Sequence, residues 1–317
     1  MTLDLAKVRA DVSIRGMDIG LFRGEWALDG WNYRRPVTIT EQSGNDLTDF
    51  QVLVELDGSN FNFVHAQSNG EDVRFTDTEG NLLSYWIEEW DAANEKAEVW
   101  VKVPFIPANS EIEIYMYYGN PTVASASDGE ATFEFFDDFE GDKLDTSKWV
   151  DVDANPSVSD SILTISTGYG DIRSIKGFTA PYIIESKHEV TTSWSGFVWG
   201  VDSTELRGKI LWIIYNQYQD GNYWDLDDNV FGSYEEVYIT VEAGWKKFTI
   251  KVLDSSGKAK IYRDGIYDFE TTYNSGYTDG GFIAIHNYED IHEWDWILVR
   301  KYTLPEPSVS LGVEETA

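Results

Sequence analysis

Val99-Trp100-Val101-Lys102-Val103 is the stretch that decides the fold, because valines occupy every second position. A period of two places alternate side chains on opposite faces, which is typical of a strand in a half-buried sheet. The same alternation recurs at Val37–Ile39, Val52–Val54 and Ile112–Met116. Turn residues such as Asp57-Gly58 separate these stretches, and no stretch between them has a convincing helical period. Short strands punctuated by turns predict an all-β sandwich or barrel.

A second series of strands follows the alanine- and serine-rich stretch Asn120–Gly129, which indicates a linker. It includes Ile162–Ile165, Phe248–Val252 and a last strand at Trp294–Tyr302. Arg263-Asp264-Gly265-Ile266 predicts a hairpin turn whose two central residues have positive φ. A chain of 317 residues is long enough for two such domains. The expected segments are an N-terminal arm (1–29), a first β-sandwich (30–131), a second β-sandwich (132–304) and a C-terminal tail (305–317).

The composition is strongly acidic, with 56 Asp and Glu against 24 Lys and Arg and a net charge of −32. Such a surface repels phosphates and anionic lipids, so nucleic acid and membrane surfaces are not expected as partners. No apolar run is long enough for a helix that spans a membrane. The absence of cysteine excludes disulfides and thiolate zinc sites, and it favours a bacterial, archaeal or viral source.

The N-terminal arm contains a candidate strand, Val8–Ile14, in which apolar and polar residues alternate before Gly16 and Gly20. This segment has two interpretations: an extra strand of the first sandwich, or an arm that pairs with a neighbouring subunit by strand addition. Met1–Ala10 lacks the basic start and apolar core of a signal peptide. We therefore expect either a leader removed from this sequence or release by another route, such as inside a virus particle.

Five motifs of the first sandwich stand out, in chain order: Gly30–Pro36, Asp72–Thr76, Tyr85–Glu88, Trp100–Pro104 and Tyr117–Pro121. Through these motifs, in the order of the family, residues 31–120 resemble domain of unknown function 2341, a family found in archaeal and bacterial surface proteins. The resemblance implies a surface context and no established activity.

The second series of strands contains a further set of motifs: Phe136–Gly141 with Leu144-Asp145 and Lys148-Trp149, then Tyr262–Gly265 and Trp294–Val299. Through these motifs, residues 133–304 resemble a concanavalin-A-like lectin/glucanase domain of the LamG-like jelly-roll type. The resemblance implies a sandwich of two antiparallel sheets, one of them concave.

Glycosidases of this fold carry three acids on one strand, in the pattern Glu-x-Asp-x-(x)-Glu, and the alternation points them to one face. Glu293-Trp294-Asp295 begins this pattern, but no second glutamate follows it. Asp225–Asp228 lacks a following glutamate, and Glu235-Glu236 points to opposite faces. We therefore expect no catalytic residues and no enzyme activity. The four histidines are scattered, and we expect them to be ordinary rather than zinc ligands.

A structural calcium ion is implied by the same resemblance, because the superfamily often ties its first strand to its last through an acid on the closing strand. Asp295 matches that acid, and Asp138 or Glu140 lies on the strand it would reach. Hard oxygen ligands suit calcium. The alternative is that Asp295 caps a turn or accepts backbone hydrogen bonds. A second acidic cluster, Asp225–Asn229, is expected to be a solvated loop.

Aromatic residues give the strongest signal for binding, because sugar rings stack on them. Part of the set is expected on the concave side, and about half of it in the core between the sheets. The candidate carbohydrate-binding residues are Trp194, Trp199, Trp212, Tyr215, Tyr218, Tyr223 and Trp224.

Together these patterns predict a non-catalytic protein of the cell surface, the extracellular space or a virion, such as a tail fibre. Its expected partners are a glycan or cell-surface polysaccharide, in an adhesive role, and other subunits of the assembly. One alternative is a purely structural assembly subunit without a glycan ligand. A third is a glycoside hydrolase with an unusual site, since one fold hosts sites that differ between its members.

Overall fold

The structure, a computed structural model, describes residues 26–166, 169–190, 194–201, 209–216, 221–228, 233–238, 242–271, 281–288 and 291–317. Strands dominate these residues, and the helical elements are one turn each. The expected all-β fold of two sandwiches is confirmed. None of the described helices has the length and apolar character needed to cross a membrane.

The first sandwich begins with seven strands and a 3₁₀ turn, Phe63–His65. The end of this region is marked by a short helix, α1 (Gly129–Thr132), whose N-cap Asp128 accepts a hydrogen bond from the Ala131 amide. The strands are β1 (Tyr33–Thr40), β2 (Leu47–Asp57), β3 (Arg74–Thr76), β4 (Leu82–Leu83), β5 (Tyr85–Asp91), β6 (Lys96–Ile106) and β7 (Glu111–Tyr118).

The second sandwich and the end of the chain supply the remaining strands. They are β8 (Phe135–Asp137), β9 (Trp149–Val152), β10 (Ser157–Ser159), β11 (Ile162–Ile165), β12 (Tyr169–Phe178), β13 (Tyr182–Val190), β14 (Trp194–Val201), β15 (Lys209–Asn216), β16 (Gly221–Asp228), β17 (Ser233–Tyr238), β18 (Gly244–Val252), β19 (Ala259–Arg263), β20 (Ile266–Glu270), β21 (Gly281–Tyr288), β22 (His292–Lys301), β23 (Ser308–Leu311) and β24 (Glu315–Thr316).

Two antiparallel sheets form the first sandwich, one of order β2-β6-β5 and one of order β23-β1-β7-β3-β4. The alternation in β6 explains their packing. Val99, Val101 and Val103 are buried in the core between the sheets, whereas Trp100 lies on the opposite face. The three-stranded sheet therefore has two apolar faces, and its second face needs another partner.

The C-terminal residues return to the first sandwich instead of forming a tail. β23 pairs with β1, from Val37 opposite Leu311 to Thr40 opposite Ser308, and β24 also pairs with β1. The prediction of a tail from residue 305 differs from this arrangement. The four alternating residues of β23 are too short a signal, and their partner lies at the other end of the sequence.

Two larger antiparallel sheets form the second sandwich. The eight-stranded sheet has the order β10-β11-β22-β13-β18-β19-β20, with β8 also paired to β22, and the seven-stranded sheet has the order β17-β16-β15-β14-β21-β12-β9. The chain crosses repeatedly between the two sheets, as expected of a jelly roll. Side chains such as Ile184 and Ile297 from one sheet and Ile172 and Ile285 from the other share one buried core.

The hairpin expected at Asp264-Gly265 is confirmed. It joins β19 to β20, with Arg263 opposite Ile266, and its central residues have φ of 48° and 75°. An asparagine, aspartate or glycine tolerates this left-handed conformation, which explains why the turn was readable from the sequence.

Candidate functional site

A cleft of about 660 Å³ lies between the two sandwiches. One wall is the outer face of the β2-β6-β5 sheet, and the other is the outer face of the eight-stranded sheet. We call this space the interdomain cleft. Clefts between domains are common sites for small ligands, because two rigid surfaces can supply side chains from both sides.

The floor of the cleft is apolar and joins the two domains. Trp86 packs edge-on against Trp296, with ring centroids 5.3 Å apart, and against Phe136 at 5.0 Å. Edge-to-face contacts of this kind add to the stability gained by burying the rings. We call this cluster the apolar seam. Its members are Trp86, Trp100, Phe133, Phe136, Trp296 and Leu298.

Lys247 connects the two walls. Its ammonium group, from β18 of the second sandwich, forms ion pairs with Glu88 and with Glu98, the latter at 3.3 Å. The Trp100 indole nitrogen donates a hydrogen bond of 2.8 Å to the Glu88 carboxylate. Burial raises the pKa of Glu88 to about 6, although Lys247 acts in the opposite direction. Burial alone would lower the pKa of Lys247, but the neighbours Glu185, Glu88 and Glu98 raise it.

Arg300 forms the second charged contact across the cleft. Its guanidinium carbon lies 4.4 Å from the centre of the Trp100 ring. The guanidinium also pairs with Glu185 at 3.3 Å and with Glu306 at 2.6 Å. Both Arg300 and Glu185 are almost completely buried. If one of the two charges were removed, water could not solvate the other.

Trp245 supplies the accessible aromatic surface of the cleft. It lies on β18, where Phe248 and Ile250 enter the core, so Trp245 and Lys247 face outward. The Trp245 side chain is 38% exposed. Near it, the Lys187 ammonium group lies 6.0 Å from the ring centre and 2.7 Å from the Asp295 carboxylate. The cleft therefore combines an open aromatic face with charged groups that are already paired.

Trp199 does not face a ligand, so its prediction as a binding residue is wrong. It is 1% exposed, belongs to the core of the second sandwich, and donates from its indole nitrogen to the Gly257 carbonyl at 3.1 Å. Its position opposite Ile283 places it in a row that points into the core. Of the other candidates, Tyr218 lies outside the described residues. Trp194, Trp212, Tyr215, Tyr223 and Trp224 lie on described strands, but their side chains are outside what the structure describes.

The three residues expected to bind calcium are not brought together. Asp295 pairs with Lys187, so an ammonium group already occupies its carboxylate. Glu140 is exposed and accepts a hydrogen bond of 2.8 Å from Ser161, while burial raises the pKa of Asp138. In the described ranges of the chain, no group of three or more His, Asp or Glu side chains is arranged to hold a metal ion.

A buried pair on the seven-stranded sheet was missed by sequence reasoning. The Asp171 carboxylate is hydrogen-bonded to His286 Nδ1, and both side chains are buried. They are register partners on β12 and β21. No local spacing could have indicated the pair, because 115 residues separate its members.

The cross-strand row that contains this pair continues through the sheet. His286 lies opposite Gly196, Gly196 opposite Trp212, and Trp212 opposite Asp225. Asp225 is in turn the register partner of Glu236. A search for acids along single strands could not find this juxtaposition, because it is created by pairing between neighbouring strands.

Residues 69–153 match the family described as domain of unknown function 2341. The match includes β3 to β7 of the first sandwich and continues to the first strands of the second. It supports the resemblance noted from the sequence, although it starts and ends later in the chain. An uncharacterized protein of Methanocaldococcus jannaschii is 28% identical over 152 residues, which are 44% of this chain and 27% of that protein. The matched part of this chain therefore spans about a quarter of the length of that relative.

Solved structures with similar folds include two proteins named as a glucanase or pseudo-glucanase and a third named LamAcat. One, from Mycobacterium tuberculosis, is described as an immunostimulatory antigen and pseudo β-1,3-glucanase, with 14% identity and a TM-score of 0.43 over 54% of this chain and 99% of that one. A β-1,3-glucanase of Mycobacterium marinum has 13% identity and a TM-score of 0.42 over 54% and 99%. LamAcat of Zobellia galactanivorans has 14% identity and a TM-score of 0.41 over 55% and 100%. At these values the likeness concerns the outline of the fold and assigns no activity to this chain.

Proposed function

We propose that this protein binds a carbohydrate without cleaving it and that the interdomain cleft holds the ligand. The observation that supports this most is Trp245, which is 38% exposed on the wall of a cleft of about 660 Å³. An open aromatic ring accepts the apolar face of a sugar, and polar groups beside it bind hydroxyls. The lining of the cleft supplies such groups in Lys187, Lys246 and Asp264.

The state of the acids in the cleft supports binding rather than hydrolysis. A retaining glycosidase needs two carboxyl groups about 5–5.5 Å apart, one of them able to give a proton to the substrate. Glu88 has the raised pKa of a proton donor, but Lys247 and the Trp100 indole engage its two oxygens, and its side chain is 6% exposed. Glu185 is held by Arg300. Both acids are therefore engaged by neighbouring cations, and Glu88 in addition joins the two domains through Lys247.

The proposed setting is the cell surface, the extracellular space or a virion, where the ligand is a surface polysaccharide and the protein is one subunit of an assembly. Two features support this setting: a cysteine-free chain with a charge of −32, and the match of residues 69–153 to domain of unknown function 2341, for which the resemblance in the sequence implied a surface context. The paired charges of the cleft favour a neutral glycan, because five basic and six acidic side chains line it and leave no surplus of positive charge for an anionic polymer.

A glycan array followed by calorimetry tests the proposal. The wild-type protein is expected to bind a neutral glycan, and Trp245→Ala is expected to weaken binding about fivefold, since a stacked ring contributes on the order of 1 kcal/mol. Tyr267→Ala is the matched control, because Tyr267 is 53% exposed and lies outside the cleft lining. Equal affinities for the two variants, or no glycan bound by the wild type, would refute the proposal.

Hydrolysis is the second candidate function, and one observation favours it: the register places Asp225 of β16 directly opposite Glu236 of β17. Cβ atoms at directly opposite positions of antiparallel strands are about 4.5–5.5 Å apart. Release of reducing sugar from β-glucans by the wild type, and its loss in both Asp225→Asn and Glu236→Gln, would support this function. If neither the wild type nor the variants release sugar, the carbohydrate-binding proposal remains.

A further inference from the structure

A second cavity, of about 650 Å³, shares Trp100 and Arg300 with the lining of the interdomain cleft. It opens between β2, the end strand of the three-stranded sheet, and β23, the end strand of the six-stranded sheet. We call it the strand-edge groove. Within the described ranges, no strand pairs with the outer side of either β2 or β23. The groove is therefore the open side of the first sandwich.

The inner surface of the strand-edge groove is apolar. Phe50 and Val52 of β2 are buried, and Val309 and Leu311 of β23 are partly buried against the same core. Ser308 and Ser310 alternate with these two residues and point outward. An unpaired edge with apolar side chains on one face and small polar ones on the other accepts an added strand that has the same alternation.

The rim of the groove is acidic. Glu55 and Asp57 of β2 are both exposed there. A third acid, Glu306, lies at the end of the groove next to β23, where Arg300 and Lys251 already pair with it. A segment that enters this groove should therefore carry positive charge on its outward face, in a protein whose net charge is −32.

The N-terminal arm contains a segment with these properties. Val8, Ala10, Val12 and Ile14 alternate with polar residues, which matches the one-sided apolar surface of the groove. The stretch from residue 7 to residue 15 carries three basic side chains, at positions 7, 9 and 15, and one acidic side chain, Asp11. Its charge is therefore opposite to that of the rim.

We propose that the segment Val8–Ile14 of one copy of this chain adds as a strand to the strand-edge groove of a second copy. The start of the described chain supports a second copy as the acceptor. Trp26 packs against Tyr117 at 5.6 Å and lies 5.1 Å from the Arg34 guanidinium. Tyr118 faces the core, so its neighbour Tyr117 and Trp26 lie on the outer face of the six-stranded sheet, away from the groove.

This contact is heterologous, because the arm of one subunit and the groove of the next are different surfaces. Each subunit has one of each, so the contact can be repeated from copy to copy. The inference does not depend on the carbohydrate ligand, and it gives a physical basis for the assembly of subunits.

Cysteine cross-linking tests the proposal directly, because the natural chain has no cysteine. Ser13→Cys and Ser310→Cys are prepared as separate full-length proteins, mixed, and treated with a short bifunctional thiol reagent. Both positions face outward beside the added strand, so a covalent dimer of one chain of each kind is expected. Mass spectrometry of the joined peptides identifies it. A chain with Thr38→Cys and Ser310→Cys is the positive control, since these residues are register partners.

The specificity of the contact is tested by a second substitution in the Ser13→Cys protein. Val12→Asp places a charge on the apolar face of the segment and is expected to abolish the dimer. Asp11→Asn, on the outward face, is the matched control and is expected to retain it. Both substitutions lie outside the described residues, so residues 26–317 have the same sequence in the two proteins.

Three outcomes would overturn the proposal. One is the absence of the mixed dimer while the Thr38–Ser310 control reacts. Another is cross-linking within one chain when both Ser13→Cys and Ser310→Cys are present in it at high dilution, which would place the arm in its own groove. The third is equal cross-linking of Val12→Asp and Asp11→Asn, which would mean a non-specific charge contact.

Discussion

The interdomain cleft and the strand-edge groove are nearly equal in volume, about 660 and 650 Å³, and share the wall formed by Trp100 and Arg300. They differ in what encloses them. The cleft lies between two sheet faces, so side chains line it. The groove lies between two sheet edges, so unpaired backbone and one apolar row line it.

This difference favours two kinds of recognition in one molecule. Side chains on rigid strands can select a small ligand by shape, stacking and hydrogen bonds. Backbone groups on an edge select an extended polypeptide, and alternate side chains set its register. The volume of a cavity alone would not distinguish these partners, whereas the topology of its walls does.

Arg300 lines both cavities, and its loss should have the largest effect. Arg300→Met leaves the Glu185 carboxylate buried without the guanidinium that pairs with it, so the free energy of unfolding should fall by roughly 3–5 kcal/mol. Urea unfolding at neutral pH measures this change. Both cavities should be affected, since the substitution changes a side chain that they share.

Two further proteins sharpen the Arg300 experiment. The double variant Arg300→Met with Glu185→Leu removes both charges and should recover most of the stability. Lys260→Met breaks an exposed pair with Glu270 and should cost less than about 1 kcal/mol. A loss after Arg300→Met as small as that after Lys260→Met would show that the buried pair does not hold the wall.

The stability of the cleft should depend on pH through Glu88. Its pKa in the folded protein is raised to about 6, from an ordinary 4.5, so the folded state binds this proton more tightly than the unfolded chain does. The stabilisation contributed by this bound proton is fully present below about pH 4.5 and is lost as the pH rises through about 6. The difference corresponds to about 2 kcal/mol.

Comparison with Glu88→Gln isolates this contribution, because glutamine does not titrate. Urea denaturation from pH 4 to pH 7 measures the free energy of unfolding of both proteins. As the pH rises over this range, the wild type should lose about 2 kcal/mol of stability relative to the variant. If the difference in stability between the two proteins is independent of pH, or if the wild type gains stability relative to the variant as the pH rises, burial is not the dominant influence on the pKa of Glu88.

Substitution of Glu314, which lies between β23 and β24, should have the smallest effect on stability. Its carboxylate accepts hydrogen bonds from the Tyr118 hydroxyl at 2.7 Å and from His65 at 3.1 Å. Burial opposes ionisation, but these partners lower the pKa below its ordinary value. The stabilisation is therefore present above about pH 4.5 and is lost as the pH falls through the lowered pKa.

Glu314→Gln should reduce stability by about 1 kcal/mol at neutral pH, with faster amide exchange in β23 and β24. Glu111→Gln is the control, since that exposed acid accepts one bond of 3.4 Å from Thr40. If the variant leaves exchange in β23 and β24 unchanged, the C-terminal residues are held to β1 by backbone pairing alone.

The sequence predicted the features that depend on short-range patterns. The alternation of Val99, Val101 and Val103 predicted a strand with one face in the core, and Asp264-Gly265 predicted a hairpin. Both are confirmed. These features follow from sterics within a few residues, which explains why they could be read locally.

The features that depend on pairing between distant residues could not be predicted. The return of β23 to β1, the bond between Asp171 and His286, and the contact of Lys247 with Glu88 each join residues about 100 to 270 positions apart. Trp199 is a second example of a feature that depends on pairing between distant strands. Its aromatic character suggested a ligand surface, but the register of β14 against β21 sends it into the core.

The most direct test of carbohydrate binding in the interdomain cleft is an NMR titration with the glycan selected on the array. The titration follows the indole N–H signals of the 13 tryptophans. Single substitutions assign the signals. If the interdomain cleft is the binding site, the Trp245 signal shifts with ligand concentration, while the signals of Trp194, Trp212 and Trp224 on the seven-stranded sheet stay in place. Shifts of those three signals with an unchanged Trp245 signal would contradict binding in the interdomain cleft and would place the binding site on the seven-stranded sheet.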